Sequence, residues 1–412
     1  MPTPAEALHL ILAAMPPLPP VSAPLADSLG LALAADVYSA ATVPPFTNSA
    51  MDGYAVQAAD LDAASAERPV RLRVLGDLAA GGVSYHVLHP GSALRIMTGA
   101  ALPEGADAVV PVEDTTRGED ADGDWVELGR PIRRGIHIRL AGEDLQQGQL
   151  LVKAGQGLRP GDLGVLAAAG IPAVSVYPRA RVAVLTTGDE LVDVSEEPGP
   201  GRIRDANIHA VCAQVRACGA IPVPYARVPD DREALMHTLK LALEADVVLT
   251  TGGISVGDYD HMKAMLEELG ARRAFWKVAQ KPGGPLGFWR LGTKPIFGIP
   301  GNPVAAMLMV EEYVRPALRK RMGFAKLHRP VVEARLEDGW SGRVGDGRTT
   351  FLRVVAVKEG GGYCARLTGP QGSAILSSML SANALAVIPA GVDQVAPGGP
   401  VLLRLTEEAE DH

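Results

Sequence analysis

Between residues 180 and 323 the chain alternates short apolar runs with amphipathic stretches, and this pattern restricts the fold more than any other feature. Strands are expected at Arg181 to Leu185, Ile221 to Val228, Asp246 to Leu249 and Pro295 to Ile299. After Asp205, a helix-capping residue, the apolar positions Ile208, Val211, Cys212 and Val215 recur at helical spacing, with Gly219 as the stop. Asp230-Asp231-Arg232-Glu233 has the form of a capping box, and Met262, Met265, Leu266 and Leu269 mark a further helix stopped by Gly270. Asn302 followed by Pro303 reads as a cap and first helical residue. Strands alternating with helices in this way predict a doubly wound, mostly parallel sheet covered by helices on both faces.

Three of these strands end in glycine turns: Thr186-Thr187-Gly188, Thr250-Thr251-Gly252-Gly253 and Pro300-Gly301-Asn302. Ligands of open α/β sheets bind beyond the carboxyl ends of the strands, where glycines let backbone N–H groups approach phosphate oxygens. The candidate ligand-contacting residues are therefore Thr187 to Glu190, Gly252 to Asp260 including Gly253 and Ser255, and Pro300 to Asn302. Carboxylates crowd the same rim at Asp189, Glu190, Asp258 and Asp260, with Asp230 at a neighbouring strand end. Each is also a plausible helix cap. Beside a phosphate they would repel it unless a cation such as Mg²⁺ intervened. Lys277 and Lys281, between the second and third turns, are the nearest basic groups. Neither a Walker motif nor a GxGxxG after the first strand is present.

Around this core the chain reads as three further units. Residues 1–50 and 140–178 form a discontinuous N-terminal α+β domain, opened by a helix from Ala5 to Ala14. A small β-rich domain, residues 51–139, is inserted into it. The α/β domain spans 179–327, and about five short strands with glycine turns in 328–412 suggest a small C-terminal β-barrel or sandwich, of which the barrel is the expected form. In the inserted unit, Met51-Asp52-Gly53-Tyr54 is a turn signal and Thr98 a turn-capping hydroxyl. His137 alternates with apolar neighbours and reads as a strand residue, while Arg139 and Asp144 suit a surface ion pair.

The net charge of −8 and an aromatic content of 4% argue against nucleic-acid binding, which needs a basic footprint or stacking surfaces. Three cysteines without a CxxC pair argue against structural zinc and a disulfide framework, and a reducing cytoplasm is expected. Leu8 to Met15 is too short to span a membrane.

Eleven segments together resemble the molybdopterin molybdotransferases, the molybdenum-inserting enzymes of molybdenum cofactor synthesis related to the E domain of gephyrin. They include PPFTNSAMDGYAV (44–56), RIMTG (95–99), EGADAVVPVE (104–113), RLAGED (139–144), TTGDEL (186–191) and GRIRDAN (201–207). PDD (229–231), TTGGISVGDYD (250–260), KVAQKPGGP (277–285), GIPGNPVA (298–305) and QGSAILSSMLSANAL (371–385) complete the set. The resemblance implies a homodimer with a site shared between subunits. The implied reaction is Mg²⁺-dependent: adenylated molybdopterin and molybdate yield molybdenum cofactor and AMP. Carried over by position, it implies functional roles for Asp52, Thr98, Asp144, Lys277 and Lys281, and metal roles for Glu190, Asp230 and Asp260. Substrate contacts are implied at Arg139, Ser373 and Ser377 as well as on the glycine turns. Transient contacts with molybdopterin adenylyltransferase and apo-molybdoenzymes are also implied. Gly284 stands where the family often carries a second lysine, which removes a positive charge. A gephyrin-like scaffold and a stand-alone adenylyltransferase are the alternative readings.

Overall fold

The computed structural model describes residues 1–252 and 259–406, without the side chains at 259–261 and 263. Its centre is a six-stranded sheet built from β1 (Arg181–Thr187), β2 (Ile221–Val228), β3 (Val247–Thr251), β4 (Arg272–Trp276), β5 (Gly287–Leu291) and β6 (Lys294–Ile299). The spatial order is β2-β1-β3-β6-β5-β4. The first four are mutually parallel, and β5 and β4 close one edge antiparallel. Among the helices that cover it are α1 (Ala206–Ala217), α2 (Arg232–Ala242), α3 (Tyr259–Glu268) and α4 (Pro303–Met309).

Alternation along β1 sends Val182 and Val184 into one core and Ala183 and Leu185 into the other. The first core holds Ile208, Val211, Cys212 and Val215 of α1, the face expected from their spacing. The second holds Leu235 and Leu239 of α2 with Met262, Met265 and Leu266 of α3. Each fully buried aliphatic side chain contributes about 1.5–3 kcal/mol, so both layers hold the sheet.

Several details differ from expectation. β4 and β5, with the antiparallel pairing of β5 to the expected β6, were hidden in sequence by the glycine and proline cluster at 282–285 and by the shortness of each apolar run. Within them Phe288 and Trp289 are buried. The cap of α2 is Asp231, whose side chain accepts from Glu233 and Ala234 N–H at 3.0 and 2.9 Å, and not Asp230. His137 lies in a turn with φ 53, its carbonyl accepting from Ala50 N–H, so strand alternation misplaced it. Residues 407–412 lie outside the described residues.

The opening helix, Pro4–Ala13, is capped by Thr3 through a capping box with Glu6. Its buried residues Ala7 and Ile11 join the first core of the α/β unit. Lys320 Nζ reaches Leu12 O at 2.7 Å and Arg321 reaches Pro16 O at 2.7 Å. Residues 4–18 thus pack on the central unit, although the sequence grouped them with the N-terminal one. Strand pairs join Val21–Pro24 to Ala173–Val176, Val37–Tyr38 to Leu150–Val152, and Asn48–Ser49 to Ile138–Arg139. Between the last two partners the chain forms a separate six-stranded sheet from residues 53 to 128.

At the C-terminal end, Thr349–Glu359 pairs on one side with Gly362–Leu367 and on the other with Ala384–Ile388. Val331–Leu336 and Gly399–Leu405 complete a closed five-stranded barrel. Gln280–Lys281 adds to it in parallel beside Thr349 and Thr350, tying the α/β unit to the barrel.

Candidate functional site

A cleft of about 580 Å³ opens at the carboxyl ends of β1, β3 and β6. Thr187, Glu190, Gly252, Pro300, Gly301 and Asn302 are on its walls, so the three glycine turns do form one rim. The turns approach so closely that a Cβ at Gly252 (φ +87) would sit 2.4 Å from Thr187 O. At Gly188 (φ +143) it would sit 2.5 Å from Glu190 Oε2, because the Glu190 side chain folds back over that glycine. Glycine is required at both positions.

Beneath the rim a buried polar chain fixes the geometry. Arg227 N–H donates to Thr186 Oγ1 at 2.9 Å, Thr186 donates to Asp205 Oδ2 at 2.5 Å, and Asp205 Oδ1 accepts from Ile208 N–H at 3.0 Å. Asp205 therefore caps α1 and also anchors the turn after β1. Asn207, two residues on, donates through Nδ2 to Thr251 Oγ1 at 2.9 Å and to Gly301 O at 2.7 Å. One amide thus ties the β3 turn to the β6 turn. Asn207 lies in GRIRDAN but was not singled out from sequence. Its position directly after the α1 cap was the available signal.

The metal candidates are less gathered. Glu190 is on the cleft wall, and Asp230 N–H donates to Asp189 Oδ1 at 3.2 Å beside it. Among the described residues, no three acidic, histidine or cysteine side chains that include either one converge to metal-binding distance. The set that does converge, Glu337, Glu359 and Cys364 in the barrel, is served by Arg366 on Glu337 and Arg335 on Cys364. Gly253, Ser255 and the Asp260 side chain lie outside the described residues.

Lys277 and Lys281 are exposed on the link between β4 and β5, and Lys277 has φ 66. Neither is on the cleft wall, although Pro285 from the same segment is. Buried Tyr313 donates to Gln280 Oε1, and Gln280 Nε2 donates to Pro282 O at 2.9 Å, which fixes the segment from below. Arg348 beside Asp346, with Lys281 and Arg343 further off, holds that carboxyl below the usual carboxylate range.

The barrel delivers a loop to the cleft. Asn302 Nδ2 donates to Ser373 Oγ at 3.3 Å, and Ala374 is on the wall. This loop is held by Arg353, which is 0% exposed. Its guanidinium donates to Ser378 Oγ and to the carbonyls of Pro370, Gln371 and Gly372 at 3.1–3.3 Å. Burial pushes Arg353 down to about 10, so it stays charged at neutral pH. Ser377 is exposed and Ser378 buried.

The remaining candidates form a second cluster. Asp52 Oδ1 accepts from both the N–H and the hydroxyl of Thr98, each at 2.7 Å. Those two hydrogen bonds, the backbone one foremost, hold the Asp52 carboxyl below the usual range. Gly53 sits where a Cβ would meet Val110 O at 1.9 Å, so the position after Asp52 admits no side chain. Arg139 pairs with Asn48, Asp144 N–H donates to Val43 O at 3.1 Å and Gly142 N–H to Pro44 O at 2.9 Å. The loops around residues 44–52, 97–100 and 139–144 are thus one unit. Among the described residues, Arg139 and Asp144 form no ion pair, contrary to the sequence reading. No hydrogen bond or ion pair among the described residues joins this cluster to the cleft.

Fold and site define a multidomain α/β protein with a ligand cleft at the ends of parallel strands, one wall completed by a β-barrel loop. Residues 3–170 match the MoeA N-terminal region (domain I and II), 183–320 a probable molybdopterin binding domain, and 334–405 the MoeA C-terminal region (domain IV). The chain is 37% identical over 385 residues to molybdopterin molybdenumtransferase 2 of Mycobacterium tuberculosis, covering 92% of this chain and 93% of the relative. It is 36% identical over 385 residues to the molybdopterin molybdenumtransferase of Bacillus subtilis, covering 93% and 89%. A crystal structure of the molybdopterin biosynthesis MoeA protein from Pyrococcus horikoshii superposes with TM-score 0.79 at 31% identity, covering 98% of this chain and 100% of that one. The chain belongs to the MoeA family of molybdopterin molybdenumtransferases.

Proposed function

We propose that this chain is a cytoplasmic, homodimeric molybdopterin molybdotransferase that converts adenylated molybdopterin and molybdate into molybdenum cofactor and AMP. The observation that carries this reading is its 37% identity to a molybdopterin molybdenumtransferase over 92% of the chain. The cleft on the α/β unit supports it. Thr187, Gly188, Gly252, Gly253, Ser255, Pro300, Gly301 and Asn302 would contact the adenylated substrate. Lys277 and Lys281 would neutralise its phosphates, and Ser373 and Ser377 would approach the oxyanion.

Mg²⁺ commonly takes one or two carboxylates and completes its shell with water and substrate phosphate. Glu190 on the wall and Asp230 beside Asp189 fit that mode. With Asp260 they would hold the ion, which supplies charge neutralisation at the phosphates.

Asp52 spends one oxygen on both Thr98 donors, which leaves Oδ2 for a substrate N–H or O–H. A carboxylate stabilised this way is a weak proton acceptor, so its role is to orient a bound group rather than remove a proton. Arg139 and Asp144 sit on the same loop unit. The domain limits 1–50 with 140–178, 51–139, 179–327 and 328–412 are proposed as its working parts, with residues 4–18 of the first lying against the α/β unit. Molybdopterin adenylyltransferase and apo-molybdoenzymes are the proposed transient partners. Among the described residues no helix is long and apolar enough to cross a membrane.

The test supplies adenylated molybdopterin, Mg²⁺ and molybdate to the purified chain. AMP release that depends on molybdate is expected. No release, or release indifferent to molybdate, removes the reading.

A further inference from the structure

The segment that carries Lys281 is held from inside the protein. Val278 N–H to Gly284 O at 2.8 Å and Lys277 N–H to Leu286 O at 3.0 Å close it at its mouth. Its tip is held by Gln280, which is fully buried and lies beside Thr349 of the barrel. Pro282 O, 2.9 Å away, can only accept, so Gln280 Nε2 faces it. Oε1 is left for the Tyr313 hydroxyl, which must then donate. Burial pushes the Tyr313 phenol up, which keeps that proton in place. The packing is equally strict: a Cβ at Gly283 would sit 2.4 Å from Met309 Cε, one turn before Tyr313.

The backbone brings Tyr313 there. α4 starts directly after the third glycine turn and widens at Val310–Val314 into a π turn, closed by Arg315 N–H on Val310 O. Pro316 follows, with no N–H to donate. Such turns are rare and gather at functional sites. One run of helix thus leaves the Pro300–Asn302 rim and carries the support of the lysine segment in its π turn. We propose that Tyr313 is a positioning residue: through Gln280 it sets the path of the segment and with it the placement of Lys281 against the anionic part of the ligand. This rests on the transferase reading, in which Lys281 meets the substrate's phosphates. A tyrosine that only filled the core would leave the ligand affinity of the folded protein unchanged.

The test measures AMP affinity on the full chain by calorimetry, with thermal unfolding in parallel. Tyr313→Phe keeps the ring and removes the hydroxyl alone. It is expected to bind AMP about tenfold more weakly, because a group displaced by about 1 Å loses much of its contact. Gln280→Met is expected to match it, and the double variant to be no weaker than either, since the two act as a unit. Adding Tyr313→Phe to Lys281→Ala is expected to cost no further affinity. Wild-type AMP binding by Tyr313→Phe overturns the proposal whatever its melting temperature. Effects that add in full overturn it too, as does a wild type that does not bind AMP. Molybdate-dependent AMP release is measured on the same wild-type preparation. Turnover without the coupling removes only the positioning role, and coupling without turnover removes only the transferase reading.

Discussion

Asp52 and Thr98 are separated by 46 residues, yet one carboxylate oxygen takes both of Thr98's donors. The folded state thus favours the ionised carboxyl. Its pKa is depressed relative to the unfolded value of about 3.9, so the associated stability is present above that value and is lost as pH falls through the folded one. Thr98→Val, which removes one of the two donors, is expected to move the Asp52 titration upward, measured by carboxyl carbon NMR. An unmoved titration would show that the hydroxyl plays no part in holding it. Asp52 and Thr98 stand in recognisable motifs, but their pairing was not legible, because nothing local in either motif sets the distance between them. Gly53 differs: Gly53→Ala is expected to cost about 3 kcal/mol or more in denaturant unfolding, because the new Cβ would strike Val110 O at 1.9 Å.

Among the elements, α1 shows how far periodicity reaches. Its buried face was read from spacing alone, and Cys212 lies on it with Cys218 at the end. Burial raises the Cys212 thiol and pushes Cys218 up to about 12, so both remain protonated at neutral pH. Alkylation of these thiols at mildly alkaline pH is expected to be slow in the native protein and complete in denaturant; fast native labelling would contradict the burial. The barrel strands were legible as short runs separated by glycine turns. The loop at 370–378 was not, because it is held by Arg353, 18 residues before Gln371. Arg353→Met is expected to lose about 3 kcal/mol on thermal or chemical unfolding, since several carbonyls and the Ser378 hydroxyl lose their donor.

At the scale of the whole molecule, the proposed functional residues fall into two groups that no hydrogen bond or ion pair among the described residues connects. If the substrate needs both, a second copy brings them together, and the mutations should complement. A mixed dimer of Asp52→Ala and Lys281→Ala chains places both lesions in one site and leaves the other intact, so roughly half of the sites should turn over. Mixed dimers as inactive as either parent would place the complete site within one chain.

Sequence alone determined the parallel core, the glycine rim and the strand-rich C-terminal unit, because each follows from a local period or a turn that few residues can make, whereas closure of that unit into a barrel rests on strand pairings far apart in the chain. It also carried the family likeness, through motifs spread over the chain. Tertiary structure decided that residues 4–18 pack on the α/β unit, that Arg353 delivers the Ser373 loop, and that Asn207 ties the β3 turn to the β6 turn. These depend on contacts between residues far apart in the chain, and no local spacing encodes such a distance.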